Sequence, residues 1–374
     1  MPTNSIATIA SIATIVMTVI LAFAMTCVLV WALIPVARRI GLVDGPDRPG
    51  GRKTHEGEVP TIGGFAVAMA VIITALVMGL SQQVHPAFWA GFLVIGLIGT
   101  LDDMRDLGHQ SKFLAQIAAA GLMVFWAGWQ LHSLGELLGA WPLTLGRFAI
   151  PVTLIAVVGV INAVNFTDGA DGLAGGLAFN ALLWFCVMEW QQGSLAAGEM
   201  QMALAFLGAV AGFLAFNLRL PGRGCALVFL GDAGSLGLGY VLAWFMVSGA
   251  ERIVPLFAPV TAIWLLAVPL MDTLACTGRR LLSGTSPFKA DRKHLHHILV
   301  DLGLPVARAV AVIHGCAFLL GGIGVAAWAH RVAESVMFYF AMGIFVAYLA
   351  LTTHALRTIE ARRDRHARLQ PRRA

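Results

Sequence analysis

The sequence predicts an all-α, polytopic membrane protein, and three observations carry that reading. Of 374 residues, 58% are hydrophobic and only 12% charged, whereas soluble domains carry about a quarter charged residues. The mean hydropathy is +0.80. Several apolar stretches approach the roughly 20 residues that a helix needs to cross about 30 Å of hydrocarbon. The alternating segments of about 10 residues that mark a transmembrane barrel are absent.

About eleven spans are expected, at 9–36, 62–80, 87–101, 112–131, 150–165, 172–189, 201–217, 235–248, 257–281, 307–328 and 336–355. The first is not a cleavable signal: no Lys or Arg precedes it, its apolar run is too long, and Arg38 and Arg39 follow it. Positive charge after the first span predicts an outside N-terminus and a cytoplasmic first loop. With alternating spans, all of the 25 Lys and Arg residues except Arg147, Arg252 and Arg331 fall on the cytoplasmic side. An odd number of spans leaves the C-terminus there too. Residues 1–355 then form one integral-membrane domain and 356–374 a basic cytoplasmic tail, which anionic lipid attracts. The five cysteines are scattered without metal spacing and read as small apolar fillers.

The unusual polar residues collect on that one side, in RPGGRKTHEGEVPTIGG (48–64), GTLDDMRDLGHQSK (99–112), NAVNFTDGADGLAGG (162–176), VFLGDAGSLGLG (228–239) and TSPFKADRKHLHH (285–297). Asp102 and Asp103 end the third span. Neighbouring helical positions point about 100° apart, so Asp102 shares a face with Asp106 rather than with Asp103. Carboxylates at a helix C-terminus oppose the macrodipole. Arg105 and Lys112 supply part of the cation they need, and a divalent metal is the other source. Asp168 and Asp171, spaced i,i+3, project from one face if the sixth helix starts there. One of them suffices as an N-cap, which leaves the other, with Asn162 and Asn165, unexplained. Amide and carboxylate oxygens together suit Mg²⁺. Asp232 opens the eighth helix among four glycines, as a cap, a metal ligand or both. Phe229 is a core residue or a stacking surface for a base.

Two basic loops complete the set. Arg52, Lys53 and His55 precede a Pro-Thr-Ile-Gly-Gly turn, and Arg292, Lys293, His294, His296 and His297 form the densest cationic patch. Three histidines in four residues suggest zinc, but the flanking Arg and Lys repel a metal and attract anions, so phosphate is the expected partner. Asp272, inside the ninth span, is either functional or paired with a neighbouring helix. His314, His330, His354 and Glu189 are read as structural.

Acidic segments suited to Mg²⁺ and basic segments suited to phosphate, on one face of a membrane bundle, fit phosphoryl transfer. A transporter is the rival reading. It places such acids near the midplane, often in repeated halves, whereas here they sit at helix ends.

Taken together and in order, the five segments resemble the polyprenyl-phosphate N-acetylhexosamine-1-phosphate transferases. The LDDMRD and DRKHLHH forms are similar to the branch that moves N-acetylglucosamine-1-phosphate (the WecA and TagO type). Asp106 stands where the phospho-MurNAc-pentapeptide branch has Lys, and Ala290 departs from the usual Pro. The resemblance implies a Mg²⁺-dependent phosphoglycosyl transferase, with Mn²⁺ as the alternative ion, in a bacterial inner membrane with its active site facing the cytoplasm. Undecaprenyl phosphate would attack the β-phosphorus of UDP-GlcNAc, giving undecaprenyl-diphospho-GlcNAc and UMP as the first membrane step of a cell-surface glycan pathway. Another UDP-HexNAc donor (GalNAc, FucNAc or QuiNAc) remains open. The implied metal ligands are Asp232, Asn165 and Asp103, and the implied catalytic residues Asp102, Asp103, Asp168, Asp171 and His294. Nucleotide and phosphates would meet Lys53, His55, Lys112, Asn162, Asp171, Phe229, Arg292, His296 and His297. Membrane lipids are expected partners, nucleic acid is not, and a homodimer is compatible with the sequence.

Overall fold

Each of the eleven apolar runs folds as helix in a computed structural model, which describes residues 2–45, 57–105, 107–193, 198–220, 222–285 and 293–369. After α1 (Pro2–Ile40), the two-residue strands β1 (Val43–Asp44) and β2 (Val59–Pro60) pair antiparallel. There follow α2 (Gly63–Val77), α3 (Pro86–Arg105), α4 (His109–Gly121), α5 (Ala149–Phe166), α6 (Leu173–Gln191), α7 (Gly198–Asn217) and α8 (Gly231–Glu251). The chain continues as α9 (Pro259–Leu265), α10 (Ala267–Leu282), α11 (Leu295–Asp301), α12 (Val306–Ala329) and α13 (Glu334–Leu369). Eight described helices are long and apolar enough to cross a membrane, and α9 with α10 would make a ninth. The protein is a multi-pass membrane protein.

Four boundaries differ from expectation. The run 257–281 is two helices bent by 83°. Pro269 lacks an N–H and its ring collides with the carbonyl four residues back, that of Leu265, where α9 ends. The run 112–131 is a 13-residue helix closed by a π turn, Leu122–Trp126. Helix α11 falls in a loop that shows no apolar period. Helix α13 continues to Leu369, so 355 marks a change of composition and not the end of an element.

Helix α8 is the hub: 94% of its apolar window is buried, against 11% for the peripheral α13. Helices α2, α3 and α5 pack around it. Near its N-terminus the packing is backbone on backbone. A Cβ on Gly64 would lie 2.1 Å from the Gly234 nitrogen, and one on Gly99 would lie 2.5 Å from the Ala233 Cα, so neither position has room for a side chain. Such close approach is how membrane helices associate where lipid is as apolar as leucine. Further along α8, Tyr240, Trp244 and Phe245 meet Phe88 of α3 in an aromatic core. The glycine contacts fix the end of the bundle at which the polar residues gather.

Candidate active site

The C-terminal ends of α3 and α5 meet the N-terminal ends of α4 and α8, and each brings one polar side chain. Lys112 Nζ of α4 donates to Asp102 Oδ2 of α3 at 2.9 Å and to Asp232 Oδ2 of α8 at 3.1 Å. The other oxygen of Asp232 accepts from Asn165 Nδ2 at 2.6 Å, and the same amide reaches Ser235 Oγ at 2.9 Å. Asp102 is only 7% exposed, and its Oδ1 is buried without a hydrogen-bond partner among the described residues. A buried carboxylate left half satisfied costs several kcal/mol. One lysine shared between two acids does not remove that cost, so the arrangement calls for further positive charge. Carboxylates with an amide carbonyl are hard oxygen donors of the kind Mg²⁺ selects, and the Lys112 ammonium already marks where a cation is favoured. The donor set therefore fits the expected metal through Asp102, Asp232 and Asn165.

Asp103 behaves differently from its neighbour. Its Oδ1 accepts from the Asp232 amide at 2.8 Å and its Oδ2 from the Ala233 amide at 3.1 Å. It thus caps the first turn of α8 across 129 residues of sequence, satisfying donors that every helix start leaves orphaned. With both oxygens on backbone amides, Asp103 positions Asp232.

Nor does the 167–172 segment open α6, as the i,i+3 spacing suggested. Gly172 takes φ +81 and α6 begins after it, so Asp168 and Asp171 lie in a turn and diverge. Asp168 is exposed and within electrostatic reach of Asp232 and Asp103. Asp171 is buried, with its Oδ2 2.7 Å from Arg219 Nε and 3.1 Å from the Ala226 amide. It ties the turn to the segment before α8. Asn162 is likewise committed elsewhere: its Nδ2 donates to Gln116 Oε1 at 2.6 Å and to the Val158 carbonyl at 2.8 Å. It joins α5 to α4. Phe229 pairs its backbone with Pro60 and Gly63, and its half-buried side chain precedes Asp232 by one helical turn.

Behind the turn lies the histidine loop. His296 packs on Gly169, where an added Cβ would come within 2.5 Å of its Nε2, and it stacks on His297 at 4.1 Å between ring centroids. His294, expected to be catalytic, is paired with Asp272. Its Nδ1 lies 2.8 Å from Asp272 Oδ2 and its Nε2 lies 3.4 Å from Arg280 Nη2. Burial opposes charge on this ring, but the Asp272 carboxylate, with Cys276 beside it, overrides that and pushes the pKa up to about 10. The Arg280 guanidinium works against a second positive charge nearby, but it is the more distant partner. Cys276, read as an apolar filler, lies in a polar setting beside the Lys293 carbonyl.

Lys53, His55, Asp106 and Arg292 lie outside the described residues. Sequence reasoning missed Ser235, Gln116, Arg219 and Asn217. Asn217 accepts from the Gly172 amide at 2.6 Å and donates to the Val228 carbonyl at 2.7 Å, bracing the acidic turn against the approach to Asp232. A polar residue at the end of an apolar helix was the available signal for it.

Comparison with known proteins gives this geometry its context. The chain is 35% identical over 323 residues to the undecaprenyl-phosphate alpha-N-acetylglucosaminyl 1-phosphate transferase of Escherichia coli K12, covering 84% of each chain. The glycosyl transferase family 4 model matches residues 85–250. The chain belongs to glycosyl transferase family 4. The enzyme of the same name from Yersinia pestis is 39% identical over 78% of each chain. A probable undecaprenyl-phosphate N-acetylglucosaminyl 1-phosphate transferase from Bacillus subtilis is 30% identical over 90% of this chain and 92% of its own. The family 4 segment runs from α3 to the end of α8, so it contains Asp102, Lys112, Asn165, Asp168 and Asp232 and ends before the histidine loop. This family 4 protein is thus a membrane-embedded transferase whose polar cluster lies within its matched segment.

Proposed function

We propose that this protein transfers GlcNAc-1-phosphate from UDP-GlcNAc to undecaprenyl phosphate at the cytoplasmic face of a bacterial inner membrane. A phosphate oxygen of the lipid forms a bond to the β-phosphorus of the nucleotide sugar. The bond from that phosphorus to the bridging oxygen breaks, and the electron pair leaves with UMP. The products are undecaprenyl-diphospho-GlcNAc and UMP. One observation carries the reading: the Asp102–Lys112–Asp232–Asn165 cluster, short of positive charge, stands where four membrane helices end. The names of the relatives support both the acceptor and the transferred group.

Asp102, Asp232 and Asn165 would hold Mg²⁺. When bound, the ion would neutralise the diphosphate and polarise the bond that breaks. Lys112 is placed to release a carboxylate and take up a phosphate oxygen as substrate arrives. Asp168 is exposed beside the cluster, and His296 lies against the same turn at Gly169; the two would meet the nucleotide sugar from that side. No general base is needed, because a phosphate monoester has a second pKa near ~6 and is already ionised at neutral pH. The lipid's phosphate reaches this level without leaving the bilayer, which accounts for a site built on membrane helices. The excess of Lys and Arg on the same side supports the cytoplasmic orientation.

The test uses purified protein in detergent with undecaprenyl phosphate, Mg²⁺ and a panel of UDP-sugars, scoring UMP and lipid product. UMP with UDP-GlcNAc alone is the expected result. UMP with a different amino sugar would replace the donor and keep the reaction. No UMP from any sugar, with the protein folded, would overturn the proposal.

A further inference from the structure

Asp272, Cys276 and His294 bring their ligand atoms within 4.8 Å of one another, and all three are buried. They stand apart from the Lys112 cluster. The carboxylate of Asp272 is fully used. Its Oδ2 accepts from His294 Nδ1 at 2.8 Å, and its Oδ1 accepts from the Leu295 amide at 2.9 Å and the Tyr348 hydroxyl at 2.7 Å. These contacts join α10, the start of α11 and the peripheral α13. An Asp-Cys-His triangle could hold a transition metal, but two guanidiniums already fill the cation's place. Arg279 Nη2 lies 3.3 Å from Cys276 Sγ and 3.1 Å from the Lys293 carbonyl, and Arg280 Nη2 lies 3.4 Å from His294 Nε2. A divalent ion would add its charge to two arginines. The triangle is organised without one.

What the triangle holds is the histidine loop. His294 precedes the first turn of α11, and the Asp272 carboxylate takes the Leu295 amide that the helix leaves without an internal partner. On its other side His294 meets Phe166, 6.2 Å between ring centroids, one residue beyond Asn165. Two residues on, His296 packs on Gly169, beside Asp168. The loop is therefore pinned at one end by Asp272 and lies against the acidic turn at the other.

We propose that Asp272 and Tyr348 are positioning residues for the transfer, clamping His294 and the Leu295 amide so that His296 and His297 are held over the Asp168 turn. Neither residue touches substrate. Tyr348, like Thr352 a turn later on Arg279, ties the peripheral α13 to the loop. The inference rests on the transferase reading for its kinetic part, and on geometry alone for the clamp.

The experiment compares the full-length wild type with Tyr348→Phe, Asp272→Asn and Cys276→Ser in detergent. It measures hydrogen exchange across 293–301, the kcat and KM for UDP-GlcNAc, and bound transition metal. Tyr348→Phe removes one hydroxyl from the peripheral α13 and should fold as wild type. Losing a hydrogen bond to a buried charged group should raise local exchange and lower kcat about tenfold, with KM and the Mg²⁺-induced thermal shift unchanged. Asp272→Asn should exceed it on both readouts, and Cys276→Ser should change little. Wild-type exchange and kcat in Tyr348→Phe and Asp272→Asn would overturn the clamp. Stoichiometric zinc in the wild type, lost in Cys276→Ser, would overturn it in favour of a metal centre. A wild type that folds but releases no UMP would overturn the transferase reading and leave the clamp to be judged by exchange alone.

Discussion

Two buried aspartates in this protein sit beside cations and have opposite fates. Asp102 shares Lys112 with Asp232 and keeps one oxygen unpartnered, whereas Asp272 has three donors on its two oxygens. A completed carboxylate is architecture, since any new partner must first displace an old one. An incomplete one is held ready for a ligand at a standing cost in stability. Composition does not separate the two cases, because both are an acid with a base nearby. The count of satisfied lone pairs does.

The comparison is broken most forcefully at Asp102 and Asp232. Asp102→Asn or Asp232→Asn should lower kcat by about 10³-fold or more, the scale of losing a group that stabilises transition-state charge, as followed by UMP release. The same change at Asp272 should fall well short of that. Equal losses at the two sites would erase the distinction. Next comes Gly64→Ala, whose Cβ would meet the Gly234 backbone at 2.1 Å. Backbone on both sides cannot yield, so the variant should lose about 3 kcal/mol or more, read as a lower Tm, without any change to a polar group.

Lys112→Gln sharpens the contrast more gently. Without the ammonium the acids repel one another, so the protein stripped with EDTA should melt lower than wild type. The increment in Tm on adding Mg²⁺ should be larger than in the wild type, since a ligand stabilises by binding only the folded state. An unchanged increment would separate Lys112 from the metal site. The smallest effect is the pH dependence of the clamp. His294 has its pKa raised to about 10, above the unfolded value of about 6.5. The pairing therefore contributes its full stability below about 6.5 and loses it as pH rises through about 10. Asp272→Asn should flatten that part of the stability curve.

Much of this was legible in the sequence, and the failures have a common cause. Apolar run length located the helices long enough to span, because hydrocarbon thickness imposes it, but it overcounted: of the eleven runs, 62–80 and 112–131 form helices of only 15 and 13 residues. The break at Leu266 was also written there, in Pro269, but hydropathy does not weigh one residue's missing N–H. Asp102, Lys112, Asn165 and Asp232 stood out as polar residues at helix ends. What spacing could not supply was how each oxygen is used. Asp103, expected as a metal ligand, has partners 129 residues away, in the amides of α8. His294, expected as catalytic, has surroundings fixed by Asp272, 22 residues away, and by Tyr348, 76 residues from Asp272. Tyr348 gave no signal at all, because a tyrosine in a membrane helix is ordinarily an anchor at the interface.

The contacts of Gly64 and Gly99 with α8 have a further consequence for how such a protein can change over time. Where two helices touch backbone to backbone, their separation does not depend on the volume of any side chain. Substitutions on the lipid-facing surfaces of α1 and α13 can then accumulate without moving Asp102 relative to Asp232. A relative that retains only 30% of the residues over 90% of this chain can keep the same ångström-scale site. The glycines work as a jig, holding the chemistry in register while the rest of the bundle drifts.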